Sequence, residues 1–419
     1  MYRQWLGTGL IMLIAGCSSG ASSGVRLPHP SVTPTTAADA SPSAKPSETP
    51  SPTPAPSPSP TPAPTVTAAV ACADQVFALM TEDQRIGQLI NLGLANDQLG
   101  PTEINMIRAD HVGSVWFVAR TYAGVAGVRA VANAVQAQAN GASTANVRFF
   151  VAANQEGGLI QAMQGPGFVT MPSALVQGSW APGVLQGRAA VWAQELHAAG
   201  INMNFAPVMD VVPPGTDAQN QPIGALQREY GHDPATAGTH GVAFLTAMRQ
   251  NGGVAVTLKH FPGLGRVAGN TDFTTATDTV TTRSDPYLQS FGQGIAAHAD
   301  FVMVALARYT QIDPNHLAAF SSIVMTQMLR QSMGFSGVIV SDDLGDTVAV
   351  ANIPPATRAI DFLSAGGDMI VSKTAAPADL MVQAIRARAA TDSAFRQRVN
   401  DAALRILRAK QAWGLLPCS

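Results

Sequence analysis

Four short polar clusters in this 419-residue chain carry side chains able to do chemistry. Asn154-Gln155-Glu156-Gly157-Gly158 brings an amide and a carboxylate, and Asn204-Phe205-Ala206-Pro207-Val208-Met209-Asp210 brings another of each. Lys259-His260-Phe261-Pro262-Gly263 adds a pair of donors, and Ser341-Asp342-Asp343 a pair of carboxylates. Carboxylates serve as nucleophile or proton donor, while lysine, histidine and amide groups orient neutral oxygens. This mixture suits a polyhydroxylated, mostly neutral ligand such as a sugar. No CxxC or Cys/His spacing suggests zinc, and neither a GxGxxG turn after the first strand nor a phosphate loop is present. No metal, redox cofactor, dinucleotide or ATP is therefore implied. The 15 methionines read as core filler, and at 6% aromatics a long stacking platform for polysaccharide is not expected.

Each cluster follows an apolar, β-branched run, and these runs recur. Strands are expected at residues 86–94, 112–118, 147–153, 201–208, 254–259, 301–306, 338–341 and 368–371. Ala-rich helical segments such as 123–140, 185–199, 235–250 and 321–331 lie between them. Near-continuous apolar strands alternating with helices mean a parallel sheet covered by helices. Eight such units predict an α/β fold, a (β/α)8 TIM-type barrel, with an open doubly wound sheet as the alternative. In a barrel the polar clusters at the strand ends gather on the C-terminal face, where sites form.

The prolines divide the chain: 13 of the 29 fall within residues 1–66. Residues 1–17 read as an export signal, with Arg3 in the basic region and a short apolar stretch from Trp5 to Ile14. It closes on Ile14-Ala15-Gly16-Cys17, a bacterial lipobox pattern that makes Cys17 the lipidation site, unless an ordinary signal is cleaved nearby. Residues 18–66 are rich in Ser, Thr, Ala and Pro and read as a disordered tether, which extended as polyproline II would reach roughly 150 Å. Residues 67–419 form the globular body. The expected localisation is outside the cytoplasm, lipid-anchored to the cell membrane. With Cys17 lipidated, Cys72 and Cys418 remain, one at each end of the body. An exporting route permits a disulfide between them, the alternative being two separate thiols. A net charge of -2 speaks against nucleic acid as a partner. The body is expected to be a monomer.

The runs GINMNFAPVMDV (200–211), LKHFPG (258–263) and GFSGVIVSDDL (334–344) closely resemble glycoside hydrolase family 3, in its short single-domain β-N-acetylglucosaminidase form. The similarity extends from about Thr81 to about Leu416. It implies Asp342 as the nucleophile of a retaining mechanism, although Ser341-Asp342-Asp343 would also make a good helix cap. Asp343 is left as a cap or a supporting group. Lys259 and His260 match the family's substrate-binding pair, and Arg228 matches its binding arginine, here in a loop two residues longer. A surface ion pair between Arg228 and Glu229 is the alternative for that residue. Asn154 stands where the family usually has aspartate, and Leu159 where it has arginine. Asp210 fits a supporting position.

The family's loop histidine is absent, and counting from Lys259 places Asn270-Thr271-Asp272 at its triplet. Asp272 is the candidate acid/base, with Asp278 and Asp285 behind it; a plain turn at 270–272 is the alternative. The expectation is an exo-acting β-N-acetylglucosaminidase that releases terminal GlcNAc from peptidoglycan fragments. A β-glucosidase or β-xylosidase of the same family is one alternative. A catalytically impaired GlcNAc- or muropeptide-binding lipoprotein is another.

Overall fold

The computed structural model describes residues 65–418, with side chains from Cys72. The expectations for the signal peptide, for Cys17 and for nearly all of the tether fall outside these residues. Eight parallel strands close into a barrel: β1 (Ile90–Leu94), β2 (Ser114–Phe117), β3 (Phe150–Ala153), β4 (Met203–Asn204), β5 (Ala255–Phe261), β6 (Phe301–Val304), β7 (Val338–Asp343) and β8 (Met369–Ser372). Ring closure is made by Ile90 opposite Ile370 and Asn91 opposite Val371. Every residue of β1, β2, β3, β5, β6 and β8 is buried, which is why these strands read as unbroken apolar runs and not as alternating ones. Their two faces meet the barrel interior and the helix layer. Phe150 and Phe301 pack edge to face, with centroids 5.3 Å apart.

All eight expected strands are present, with one correction. The 86–94 run is divided, because Glu82–Gln88 is helical and β1 starts only at Ile90. Thr81 and Gln84 form a reciprocal capping box, with both hydrogen bonds at 3.1 Å, and this starts a helix ahead of the apolar run that continues into it as far as Gln88. The expected helices appear at Gly124–Gln136, Pro182–Ala198 and Pro234–Gly252, while Ile323–Ser332 is a π-type helix.

Two devices anchor the body away from the rim. Asp368, fully buried just before β8, accepts from Arg398 at 2.7 Å and also pairs with Arg330 and Arg405. At the chain ends, Cys72 and Cys418 form a disulfide with Cα atoms 6.2 Å apart. Around it Ala73, Val76, Met80, Val147, Leu407 and Leu416 make a small apolar cluster beside the main core. The helix Thr65–Leu79 thereby packs on the last helix, Ser393–Ala412.

Candidate active site

A cavity of about 400 Å3 opens at the C-terminal ends of the strands. Asn154, Arg228, Lys259, His260, Asp272 and Asp342 all line it. Strand ends supply four of these six, and loops supply Arg228 and Asp272. In β5 the register slips between Leu258 and Phe261, and in β7 between Val340 and Asp343. Such irregularities at a barrel rim re-aim side chains, and here they lie at Lys259, His260 and Asp342. The Lys259–His260 peptide is cis.

Glu156 organises the floor, and the sequence reading gave it no role. It is buried and accepts from Arg228 Nε and Nη2, both at 2.8 Å, and from Lys259 Nζ at 2.6 Å. Burial would raise its pKa, but the two cations outweigh burial and hold it at about 2. Burial pushes Lys259 down and the Arg228 guanidinium adds to this, with Glu156 opposing both. Lys259 also donates to Asn154 Oδ1 at 2.7 Å, so one of its three N–H groups remains for a ligand. Arg228 therefore pairs with Glu156 and not with Glu229, and the surface-pair alternative is set aside. Its Nη1 donates to the Pro222 carbonyl at 2.8 Å, which fixes the longer loop beneath it.

His260 is oriented by Asp210. Its Nδ1 lies 2.7 Å from Asp210 Oδ2, and its backbone N–H donates to the same carboxylate at 3.1 and 3.2 Å. Asp210 also accepts from the Leu264 backbone at 2.8 Å and has no exposure. With Nδ1–H committed to Asp210, His260 Nε2 is left as an acceptor and takes a long hydrogen bond from Arg228 Nη2 at 3.4 Å at the cavity wall.

Asp342 is half-buried at the end of β7 and accepts from the Asp343 backbone N–H at 2.8 Å. Asp343 turns away. Its carboxylate accepts from Gly345 N and Lys373 N at 2.8 Å and from Asp346 N at 3.2 Å, tying β7 to the end of β8. Burial raises its pKa to about 6 against those hydrogen bonds. It is thus the turn-closing residue and Asp342 the one presented to the cavity.

Asp272 reaches the cavity on a docked loop. Thr271 is buried, its carbonyl accepts from Ala349 N at 3.1 Å, and the Asp272 carbonyl accepts from Val348 N at 3.4 Å. The segment just after β7 therefore carries the loop, and Asp272 faces the mouth of the cavity that Asp342 lines. The turn alternative also holds locally, since Asn270 Oδ1 accepts from Asp272 N at 3.0 Å, but this turn leaves the Asp272 carboxyl free. Asp272 keeps an exposed edge at the mouth, and partial desolvation there, and then the Asp342 charge, raise its pKa, with Arg228, His260 and Lys373 opposing. Asp278 and Asp285 are not in the cavity. Asp278 accepts from Val280 N and Thr281 N at 2.7 Å, and Asp285 caps Tyr287 N at 2.9 Å while pairing with Arg266. Both close the loop and neither meets a ligand.

Arg120, after β2, and Lys373, after β8, are exposed at the cavity mouth. The sequence reading did not single them out, although the strand-end rule that selected the other clusters also covers Lys373. Gly157, at φ 106°, is needed for close approach: a Cβ there would meet the Pro172 carbonyl at 2.2 Å.

Residues 81–409 match the model of the glycosyl hydrolase family 3 N-terminal domain. A β-hexosaminidase of Xanthomonas euvesicatoria is 31% identical over 295 residues, covering 68% of this chain and 83% of that protein. The crystal structure of a β-N-acetylhexosaminidase from Beutenbergia cavernae superposes with a TM-score of 0.77 at 44% identity, covering 79% of this chain and 98% of that one. A family 3 β-N-acetylglucosaminidase from a Paenibacillus species aligns with a TM-score of 0.71 at 27% identity, over 80% of this chain and 63% of that one.

Proposed function

The chain belongs to glycosyl hydrolase family 3, and from that premise we propose a retaining, exo-acting β-N-acetylglucosaminidase that removes terminal GlcNAc from peptidoglycan fragments. The observation that carries the catalytic assignment is that Asp342 and Asp272 line one cavity, with the Asp272 carboxyl raised toward its protonated form. Asp342 attacks the anomeric carbon as Asp272 gives its proton to the departing glycosidic oxygen, leaving a glycosyl ester on Asp342. Asp272, now a carboxylate, takes a proton from water. The hydroxide formed attacks the same carbon, breaks the ester and restores the original anomeric configuration. Asn154, Lys259, His260 and Arg228 hold the sugar's hydroxyls. The sugar is neutral, Arg228, Lys259 and His260 are anchored by Glu156 and Asp210, and Asn154 is held through Lys259, so little reorganisation is required when it binds.

Arg120 and Lys373 support the fragment class. Neither makes an ion pair among the described residues, and both stand at the mouth where the aglycone leaves the cavity. A muramic acid or peptide carboxylate fits them. For location, the lipobox at Cys17 supports an anchored enzyme outside the cytoplasm. Hydrolysis of 4-nitrophenyl β-GlcNAc, β-glucoside and β-xyloside and of GlcNAc–muramic acid disaccharides is the test, with Asp342→Asn as blank. Turnover of the GlcNAc substrates that is abolished in the blank is expected. Absence of turnover in a folded, GlcNAc-binding protein would favour the binding-lipoprotein alternative, and a faster glucoside or xyloside would reassign the sugar.

A further inference from the structure

Outside the cavity, one group of side chains has no use in the scheme above. Glu229, next in sequence to Arg228, is fully buried, and its carboxylate oxygens meet no donor from another side chain, only the neighbouring carboxyl of Asp217. Asp217 Oδ1 is enclosed and makes no hydrogen bond, with His232 Nδ1 standing off at 3.6 Å. A buried carboxylate without a partner is among the costliest arrangements in a protein interior. One ligand atom from each of Asp217, Glu229 and His232 lies within 4.8 Å of the others. Zinc takes nitrogen and carboxylate oxygen donors at about 2.0–2.2 Å, so ligand atoms around one ion stand roughly 3–4 Å apart. Small side-chain rotations therefore suffice to close the group on an ion.

We propose that Asp217, Glu229 and His232 form a divalent-cation site of zinc-like preference, distinct from the sugar cavity. The donor set is two carboxylates and one imidazole, which suits a borderline ion better than calcium or magnesium. Asp217 and His232 are 35% and 34% exposed, leaving an entry path and room for a water ligand. Glu229 approaches from the buried side. His232 Nδ1 faces Asp217 Oδ1 at 3.6 Å and the Val212 carbonyl at 3.2 Å, so the contact to the carbonyl is given up when this nitrogen loses its proton and takes an ion. The sequence hides the site because His232 and Glu229 are three residues apart outside any helix, and Asp217 comes from the far end of the loop.

The ion acts as a clip. Asp217 opens the turn Asp217–Gln219 of the loop whose Pro222 carbonyl accepts from Arg228, and Glu229 adjoins Arg228 itself. Binding joins the two ends of the loop that forms one wall of the sugar cavity.

The test uses the full chain, stripped with a chelator and then titrated with zinc chloride alone at pH 7.5. Metal content and calorimetry should give one ion per chain with micromolar or tighter affinity, and thermal melting should rise with zinc concentration. His232→Ala, at a half-exposed position that tolerates change, and Glu229→Gln should each weaken binding at least 10-fold. Asp272→Asn and Asp342→Asn should leave it intact. Failure to retain zinc, equal retention by His232→Ala, or loss of zinc in the two cavity variants would overturn the proposal. The first of these would mean that Glu229 and Asp217 share a proton instead. Melting and stoichiometry are read without substrate, so this result and the glycosidase result stand or fall separately.

Discussion

Replacing Glu156 by Gln keeps the shape of the cavity floor and deletes the carboxylate that is ion-paired with both Arg228 and Lys259. Both cations are then buried with no direct ion pair, Lys259 being only 2% and Arg228 13% exposed, and only the more distant charge of Asp342 acts on both. A carboxyl held at about 2 instead of 4.5 adds about 3 kcal/mol to folded-state stability at neutral pH, at about 1.4 kcal/mol per pH unit. Breaking a buried pair by removing one partner costs about 3–5 kcal/mol. The lower end applies, because Lys259 is already pushed down by burial and can shed its proton when Glu156 is gone. The expected loss is therefore about 3 kcal/mol, measured by urea denaturation at pH 7. The pH dependence fixes the cause. Glu156 has a depressed folded pKa, so its contribution is complete above 4.5 and disappears as pH falls through about 2. The wild-type advantage over Glu156→Gln should shrink between pH 4.5 and pH 2. It should also narrow at alkaline pH, where the uncompensated lysine becomes neutral. A difference under about 0.5 kcal/mol at pH 7, or one of several kcal/mol that stays constant down to pH 3, would refute the assignment of Glu156 as charge anchor.

Asp272→Asn should lower kcat/KM on GlcNAc–muramic acid disaccharides by about 10^2- to 10^4-fold, with far less effect on a 2,4-dinitrophenyl glycoside, whose leaving group needs no proton. In the wild type, activity should fall as pH rises through the raised pKa of Asp272, and this limb should vanish in the variant; a retained limb would assign the acid elsewhere. Asp210→Asn removes the charge and turns one of the two oxygens that hold His260 and the Leu264 N–H into a donor. At about 1.5–3 kcal/mol for a charge-assisted hydrogen bond, kcat/KM should fall roughly 10- to 100-fold, with no change in the pH limb attributed to Asp272. The Cys72→Ser/Cys418→Ser double variant should lose about 2–5 kcal/mol of stability and keep its kcat, because the disulfide lies far from the rim; an unchanged denaturation midpoint would count against it.

The barrel was legible because its strands are buried on both faces, which leaves unbroken apolar runs such as Phe301–Val304. The same feature misled at Ile86–Leu94, where a helix end and a strand share one apolar run and the only local signal of the helix is the Thr81–Gln84 capping box at its start. Lys259, His260 and Asp342 were found because chemistry at strand ends is local in sequence. Glu156 lay in view inside Asn154–Gly158, yet its role depends on Arg228, 72 residues away, folding over it. The requirement that a buried lysine must find a partner was the available clue. Asp217 and Glu229 were illegible for a stronger reason, since nothing in their spacing says that a loop will return upon itself.

Because Cys72 and Cys418 are joined, residues 72–418 make a covalent ring. A single peptide-bond cut in a rim loop, such as the one from Leu264 to Asp285, opens that ring without creating a separable fragment. The nicked protein should migrate as one species until a reductant is added and then as two. The barrel strands on either side of the cut keep their neighbours and their tie at the far end, so a protease that finds the exposed Phe273 injures the acid-bearing loop while the rest of the barrel stays assembled.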